Sequence, residues 1–162
     1  MSQNPNKCSL IRDVAMFDYD QTLITESKEK NNGKVIMSGV LQRSDVLNQN
    51  GRVYPKDILE REIRNYQKLI TENRAMGELD HPETSVVELK NVSHVIRSAE
   101  IDHEGTVHGK VEILNTPSGL VLQSLIESGI KLGISSRGVG STKRSGDYDV
   151  VQPDFQLICW DF

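Results

Sequence analysis

The chain has 162 residues, of which 36% are hydrophobic and 26% charged, and its formal net charge is −4 at pH 7. The length predicts one domain over residues 1–162, and the composition is ordinary for a globular protein whose core needs no disulfide or metal. The acidic balance and scattered basic residues argue against nucleic-acid binding, and no apolar run approaches the roughly 18 residues of a membrane span.

The first fifty residues predict two strands separated by an exposed loop. Residues 1–30 form an N-terminal segment of unclear role, in which short apolar stretches within residues 11–25 favour one strand. Residues 27–34 (SKEKNNGK) are charged and typical of a loop, whereas Val35–Leu41 alternates like a strand. The NQNG sequence at residues 48–51 indicates a turn.

The middle of the chain predicts a helix and then a hairpin. Pro55 suits the first helical position, because its missing N–H is not needed there. Apolar residues then recur at helical spacing up to about Arg74: Leu59, Ile63, Tyr66 and Ile70. Residues 75–84 contain a glycine and a proline, so we expect an irregular segment. Val92–Ile101 and Val107–Leu114 flank a polar turn and predict two paired strands.

The last third predicts a second helix and several short strands. The helix begins at Pro117 and stops at Gly129, and residues 130–134 form a strand that runs into a turn at Ser135. After the polar residues 141–149, residues 150–151 and 155–162 predict closing strands. Cys8 and Cys159 lack a CxxC spacing, so we expect reduced thiols in an intracellular protein. The sum is an α+β fold with a mainly antiparallel sheet or barrel.

Three residue groups have the chemistry of a hydrolase, and each has a structural alternative that the sequence leaves open. His81 follows an acid and precedes a proline in Gly77–Pro82 (GELDHP). Ser135 and Ser136 lie in Gly133–Ser141 (GISSRGVGS), where amides of a glycine-rich turn would stabilise an oxyanion, or would simply form a hairpin corner. Asp161 occupies an otherwise apolar strand, where a carboxylate needs a partner unless it faces water.

These motifs, preceded by Asn50–Pro55 (NGRVYP), resemble the prohead core protease family of myovirus-type phages over roughly residues 35–162. The histidine and the serine are 54 residues apart, at positions 81 and 135, which matches that family. Its relation to the herpesvirus assembly proteases implies a closed, mainly antiparallel β-barrel flanked by helices, often working as a dimer. It also implies a cofactor-free and metal-free serine endopeptidase that acts on scaffold, core and capsid polypeptides inside the prohead, in the host cytoplasm.

The resemblance further implies the role of each site residue. Ser135 is expected to be the nucleophile and His81 the general base, with Asp161 orienting the imidazole. Ser136, Arg137 and Gly138 are candidates for the oxyanion hole or for substrate binding, with the Arg137 and Gly138 amides as the oxyanion donors. The resemblance implies cleavage after a glutamate that lies two residues beyond an aliphatic residue. Arg137 is a candidate for the cation that would bind this glutamate. The alternative is that Arg137 is structural and binds an acid or a carbonyl of the protein.

The chain contains two possible cleavage sites of its own, and it ends close to the proposed active site. Ile58–Glu60 and Leu125–Glu127 fit the implied cleavage pattern, but both lie in predicted helices, so we expect them to be protected. The chain stops at Phe162, directly after Asp161, whereas family members continue, so we expect a truncated C-terminus and an incomplete oxyanion hole unless the Arg137 and Gly138 amides supply it.

Three other readings stay open. Residues 16–24 (MFDYDQTLI) resemble the first motif of Mg²⁺-dependent haloacid-dehalogenase-type phosphatases, with Asp18 as nucleophile, Asp20 as acid/base and Thr22 on the phosphate. A protease fold retained as a non-catalytic capsid-assembly module is the second. The third, a zinc site, is the least favoured, because no cysteine accompanies the available histidines: His94, His103 and His108.

Overall fold

The computed structural model of the protein describes residues 8–18, 24, 28–30 and 32–162. Ten strands and two complete α-helices are formed by these residues, with a short 3₁₀ turn at Leu89–Asn91; residues 24 and 28–30 are helical as well. In chain order they are β1 (Ser9–Met16), β2 (Ile36–Arg43), β3 (Arg52–Val53), α1 (Lys56–Thr71), β4 (Met76–Glu78), β5 (Val92–Ile101), β6 (Thr106–Ile113), α2 (Pro117–Glu127), β7 (Gly133–Gly140), β8 (Thr142–Ser145), β9 (Tyr148–Val151) and β10 (Gln156–Asp161).

The α+β class is confirmed, and most of the predicted elements are present. Pro55 stands at the N-cap of α1, whose inward face carries Leu59, Ile63 and Tyr66. The side chain of Thr116 accepts a hydrogen bond from Gly119 N and so caps α2. The β5–β6 hairpin turns at Gly105, where φ is 82°. None of the helices formed by the described residues is both long enough and apolar enough to span a bilayer.

The strands form three sheets in the described part of the chain. The first has the order β1-β7-β10, the second β2-β6-β5-β4 and the third β3-β9-β8. All pairs are antiparallel except β3 with β9. The β8–β9 hairpin occupies mostly residues 141–149, which the sequence indicates only as polar, since strands this short and exposed have no apolar alternation. Residues 150–151, predicted as a strand, form the end of β9.

The first two sheets meet at a seam between β10 and β4. The Phe162 N–H donates to the Glu78 carbonyl at 3.0 Å, and the Asp80 N–H donates to the Phe162 carbonyl at 2.7 Å. At the opposite edges of these two sheets, β1 and β2 both line a cleft of about 520 Å³. Because β1 and β2 are not paired in the described residues, the expected closure into a barrel is not found there and stays a prediction.

Candidate functional site

The predicted nucleophile lies in the middle strand of the first sheet. Ser135 of β7 is in register with Val14 of β1 and Asp161 of β10, and Arg137 is in register with Arg12 and Cys159. Side chains alternate along strands, so these residues share one face, whereas Ser136 lies on the other. We call this the Ser135 face: Arg12, Val14, Ser135, Arg137, Cys159 and Asp161.

The predicted base reaches the same face from a loop. Residues 79–88, here called the His81 loop, follow β4 and lead to the 3₁₀ turn. Arg12 Nη1 donates to the His81 carbonyl at 2.8 Å, and Arg137 Nη1 donates to the Thr84 carbonyl at 2.9 Å. Two arginines of the Ser135 face therefore hold the backbone of the loop that carries the histidine.

A buried ionic cluster lies beneath this loop. The Arg137 side chain is fully buried, and its Nη2 donates to Glu78 Oε2 at 2.7 Å and to Asp161 Oδ1 at 3.2 Å. Its Nε lies 3.0 Å from Asp161 Oδ2, an ion pair without hydrogen-bond alignment. Such a cation, taken out of water, is tolerated because two equally buried carboxylates surround it.

Asp161 is shared between this cluster and the predicted triad. Its Oδ1 also accepts the Glu78 backbone N–H at 2.9 Å. Burial raises the pKa of Asp161, while the Glu78 amide and the Arg137 guanidinium oppose that rise by favouring the charged form. The carboxylate is thus positioned by Arg137 and backbone, and no described hydrogen bond joins it to His81.

The histidine and the serine are near the same carboxylate but are not bonded to each other. Ser135 is 1% exposed, and its hydroxyl donates to the carbonyl of Ser136 at 3.3 Å. His81 Nδ1 is buried, with no hydrogen-bond partner among the described residues. Burial lowers the pKa of His81; the charges of Asp161 and Asp80 oppose this, and Arg12 adds to it. A neutral imidazole with a free ring nitrogen is the form that accepts a proton.

The predicted turn after Ser135 is wrong, because β7 runs without interruption to Gly140. Gly138 stands between Ile11 and Leu157 in the middle of the sheet. Backbone N–H groups of a central strand point to the neighbouring strands, so this geometry does not favour the Arg137 and Gly138 amides as an oxyanion hole. The side chain of Ser136 lies on the opposite face and does not favour a substrate contact there.

Arg137 fits the structural alternative rather than a pocket for a substrate glutamate. Its guanidinium is enclosed by protein groups: the carboxylates of Glu78 and Asp161, the Thr84 carbonyl and the Cys159 thiol. A buried cation that already has two carboxylate partners leaves no accessible donor for a third carboxylate.

The NGRVYP motif supports β1 from the opposite face. The Tyr54 hydroxyl donates to the Asp13 carboxylate, and Arg52 Nη1 donates to the other oxygen of that carboxylate at 2.8 Å. Burial, followed by the charge of Asp13, raises the pKa of Tyr54 well above its usual value. Asp13 is in register with Ser136, so the motif fixes the strand next to the nucleophile.

The alternative readings find less support. Asp18 follows β1, which pairs antiparallel with β7; within the described ranges β1 has no parallel neighbour of the kind that the phosphatase motif requires. Asp20 and Thr22 lie outside those ranges. His94 is buried between Ser93 and Trp160, while His108 pairs with Asp102. Among the described residues no three His, Cys, Asp or Glu side chains are grouped to hold a metal.

Arg12 and Glu78 belong to the site, although neither was assigned to it from the sequence. Glu78 lies three positions before His81 in the same motif, so its proximity was a usable signal. Arg12 is separated from His81 by 69 positions, and its hydrogen bond to a backbone carbonyl places no demand on residue type at position 81.

Comparison with known proteins agrees with this architecture. The family described as prohead core protein serine protease matches residues 8–160. The prohead core protein protease of Enterobacteria phage T4 is 31% identical over 126 residues, which cover 75% of this chain and 58% of that protein. The chain therefore spans less than two thirds of that relative's length.

A solved structure, that of the bacteriophage T4 capsid assembly protease, superposes with a TM-score of 0.80 at 21% identity and covers 97% of this chain and 99% of that one. At this identity the likeness establishes the fold alone. The family match extends over nearly the whole chain, and it confirms the resemblance carried by the three motifs. The chain belongs to the prohead core protein serine protease family.

Proposed function

We propose that this chain is a serine endopeptidase that cleaves core or scaffold polypeptides of a phage prohead during capsid maturation. The observation that carries the proposal is the convergence of Ser135, Asp161 and the His81 loop on one face of the first sheet. Family membership supports prohead core polypeptides as the substrate class. Capsid polypeptides as further substrates, and a place inside the prohead in the host cytoplasm, are part of the proposal. The herpesvirus-protease-like barrel and a homodimer or higher oligomer belong to the same proposal.

The proposed reaction is acyl transfer. His81 accepts the proton of the Ser135 hydroxyl as Oγ attacks the scissile carbonyl carbon, and the imidazolium then gives that proton to the leaving amine. Water, deprotonated by the same histidine, hydrolyses the ester. Asp161 stabilises the imidazolium through its charge, since that carboxylate raises the pKa of His81.

The Ser135 hydroxyl must turn from the Ser136 carbonyl toward His81 for this reaction. Catalytic hydrogen bonds often become short and aligned only when substrate is bound. Ser135 is almost completely buried, so substrate access also requires displacement of neighbouring side chains or of the His81 loop. We propose that substrate binding causes both changes.

The proposal is tested by incubating the chain with the core polypeptide encoded by the same phage. We expect Ser135→Ala and His81→Gln to lower kcat by about 10⁴-fold or more, because triad members act as a unit, and Asp161→Asn to lower it less. Ser136→Ala is the matched control, because its hydroxyl lies on the opposite face, and it should stay active. A fluorophosphonate should label wild type and Ser136→Ala but not Ser135→Ala.

Cleavage by Ser135→Ala at the wild-type rate contradicts the assigned nucleophile. Absence of both cleavage and labelling in folded wild type favours the non-catalytic assembly module. The implied preference for glutamate is measured with paired peptides that carry an aliphatic residue, alanine and then Glu or Gln. We expect faster cleavage after Glu, and equal rates contradict that preference.

A further inference from the structure

Arg12 connects the first strand to the backbone of the predicted base. Its Nη1 donates to the His81 carbonyl at 2.8 Å, and its Nη2 lies 3.0 Å from Glu83 Oε1. Arg12 is directly opposite Arg137 in the β1–β7 register, on the same face as Ser135. One guanidinium therefore joins the strand next to the nucleophile to the loop that carries the histidine.

The His81 backbone has a conformation that needs such support. Asp80 and His81 have φ angles of 72° and 48°, in the left-handed region that is sterically costly for residues other than glycine. Pro82 follows, and a proline further restricts the residue before it. The Asp80 N–H is bonded to the Phe162 carbonyl, and the His81 carbonyl to Arg12, so the strained pair is held from both sides.

We propose that Arg12 is a positioning residue for the catalytic base: through its hydrogen bond to the His81 carbonyl it fixes the main chain of His81 beside β7. The inference rests on the proposed function, because it requires His81 to act as the base. Arg12 positions His81 through its main-chain carbonyl. The ring nitrogen Nδ1 has no hydrogen-bond partner among the described residues.

The charges around His81 make this role measurable. Asp161 of β10 and the adjacent Asp80 favour the imidazolium, whereas Arg12 disfavours it. Glu83 is largely exposed and paired with Arg12, and Arg137 and Glu78 neutralise each other beneath the loop. Removing the Arg12 charge therefore raises the pKa of His81. A lysine keeps the charge but lacks the planar fork that reaches a carbonyl and a carboxylate together.

The experiment compares Arg12→Gln, Arg12→Lys and the matched control Arg144→Gln, which removes an exposed arginine from β8 in a different sheet. In the full chain, kcat is followed against pH with the core polypeptide as substrate. We expect Arg12→Gln to lower kcat about 10 to 100-fold. The acidic limb of its pH–kcat profile should also move to higher pH, because the pKa of His81 rises. Arg12→Lys should lower kcat while leaving the limb in place, and Arg144→Gln should change neither.

A titration of the histidine ring resonances, carried out in the Ser135→Ala background, measures the pKa of His81 without any turnover. His81→Gln identifies the signal. An upward pKa shift in Arg12→Gln shows that Arg12 acts on the His81 ring independently of any turnover, and failure of the protease assignment itself appears separately, as cleavage by Ser135→Ala. An unchanged His81 pKa in folded Arg12→Gln overturns the inference, as does a fall in the kcat of Arg12→Gln whose acidic limb stays in place, which indicates a structural role alone.

Discussion

Arg137 is the residue on which the buried part of the site depends. Removing it leaves the carboxylates of Glu78 and Asp161 facing each other without a cation, both fully buried. We expect Arg137→Met to lower the free energy of unfolding by about 3–5 kcal/mol, the usual cost of breaking a buried ion pair from one side. Urea unfolding followed by circular dichroism measures this loss.

The control for Arg137→Met removes the carboxylate charges as well. Adding Glu78→Gln and Asp161→Asn should recover part of the lost stability, because no uncompensated charge then remains. A loss below about 1 kcal/mol in Arg137→Met, within the range of an exposed ion pair, contradicts a buried network.

His94 gives the fold a pH dependence that is separate from catalysis. The Trp160 carbonyl can only accept, so Nε2 donates to it at 2.8 Å and Nδ1 accepts the Ser93 hydroxyl. Burial lowers the pKa of His94 to about 4. The folded state thus binds fewer protons than the unfolded state between pH 6.5 and about 4, so stability is complete above 6.5 and is lost as pH falls through this window.

The expected loss from His94 is about 3 kcal/mol across that window, since each pKa unit corresponds to about 1.4 kcal/mol. Unfolding free energies at several pH values, for wild type and His94→Gln, isolate this contribution from the carboxylates that titrate in the same range. A pH dependence that is identical in the two proteins shows that His94 does not titrate in this way.

At the scale of elements, the seam between β4 and β10 depends on Gly77. A Cβ at this position would lie 2.1 Å from the Trp160 carbonyl oxygen and 2.2 Å from His94 Nε2. Neither atom belongs to a flexible side-chain end, so the strands must separate. We expect Gly77→Ala to lower the free energy of unfolding by about 3 kcal/mol, as overpacking does in a rigid core.

Gly146→Ala is the matched control for Gly77→Ala. No atom lies within 4 Å of its Cβ position, and φ is 61°, so only the backbone conformation opposes the substitution, at about 1 kcal/mol. Equal losses in the two variants, measured by urea unfolding, exclude close packing at Gly77 as the cause.

The β7 strand shows which element-scale inference fails from sequence. The glycines after Ser135 resemble those of a turn, yet Gly138 allows the Phe155 ring to approach, since a Cβ there would lie 2.5 Å from it. A glycine needed for close packing and a glycine needed for turning look alike in sequence. The helices were predictable because Pro55 and Pro117 mark their starts and apolar residues repeat along one face.

For the whole molecule, the sequence predicts the class and the relevant motifs but not the way the sheets join. Ser135, His81 and Asp161 were each identifiable from local sequence. Their arrangement depends on contacts such as Arg137 with Glu78, 59 positions apart, and these leave no periodic signal. The ionic cluster could not be predicted for the same reason. An Asp in an apolar strand predicts that a partner exists, but the sequence does not indicate which residue it is.

The contacts that assemble the Ser135 face also set when it can form. Arg12 reaches across 69 positions to His81, and the Glu78 amide across 83 to Asp161. Contacts of such sequence separation close late and slowly, because chain entropy is lost before they are gained. A growing polypeptide therefore completes β10 before it can hold the proposed base and nucleophile together. If the Ser135 face is the proposed protease site, this topology postpones its first turnover until β10 has paired with β7.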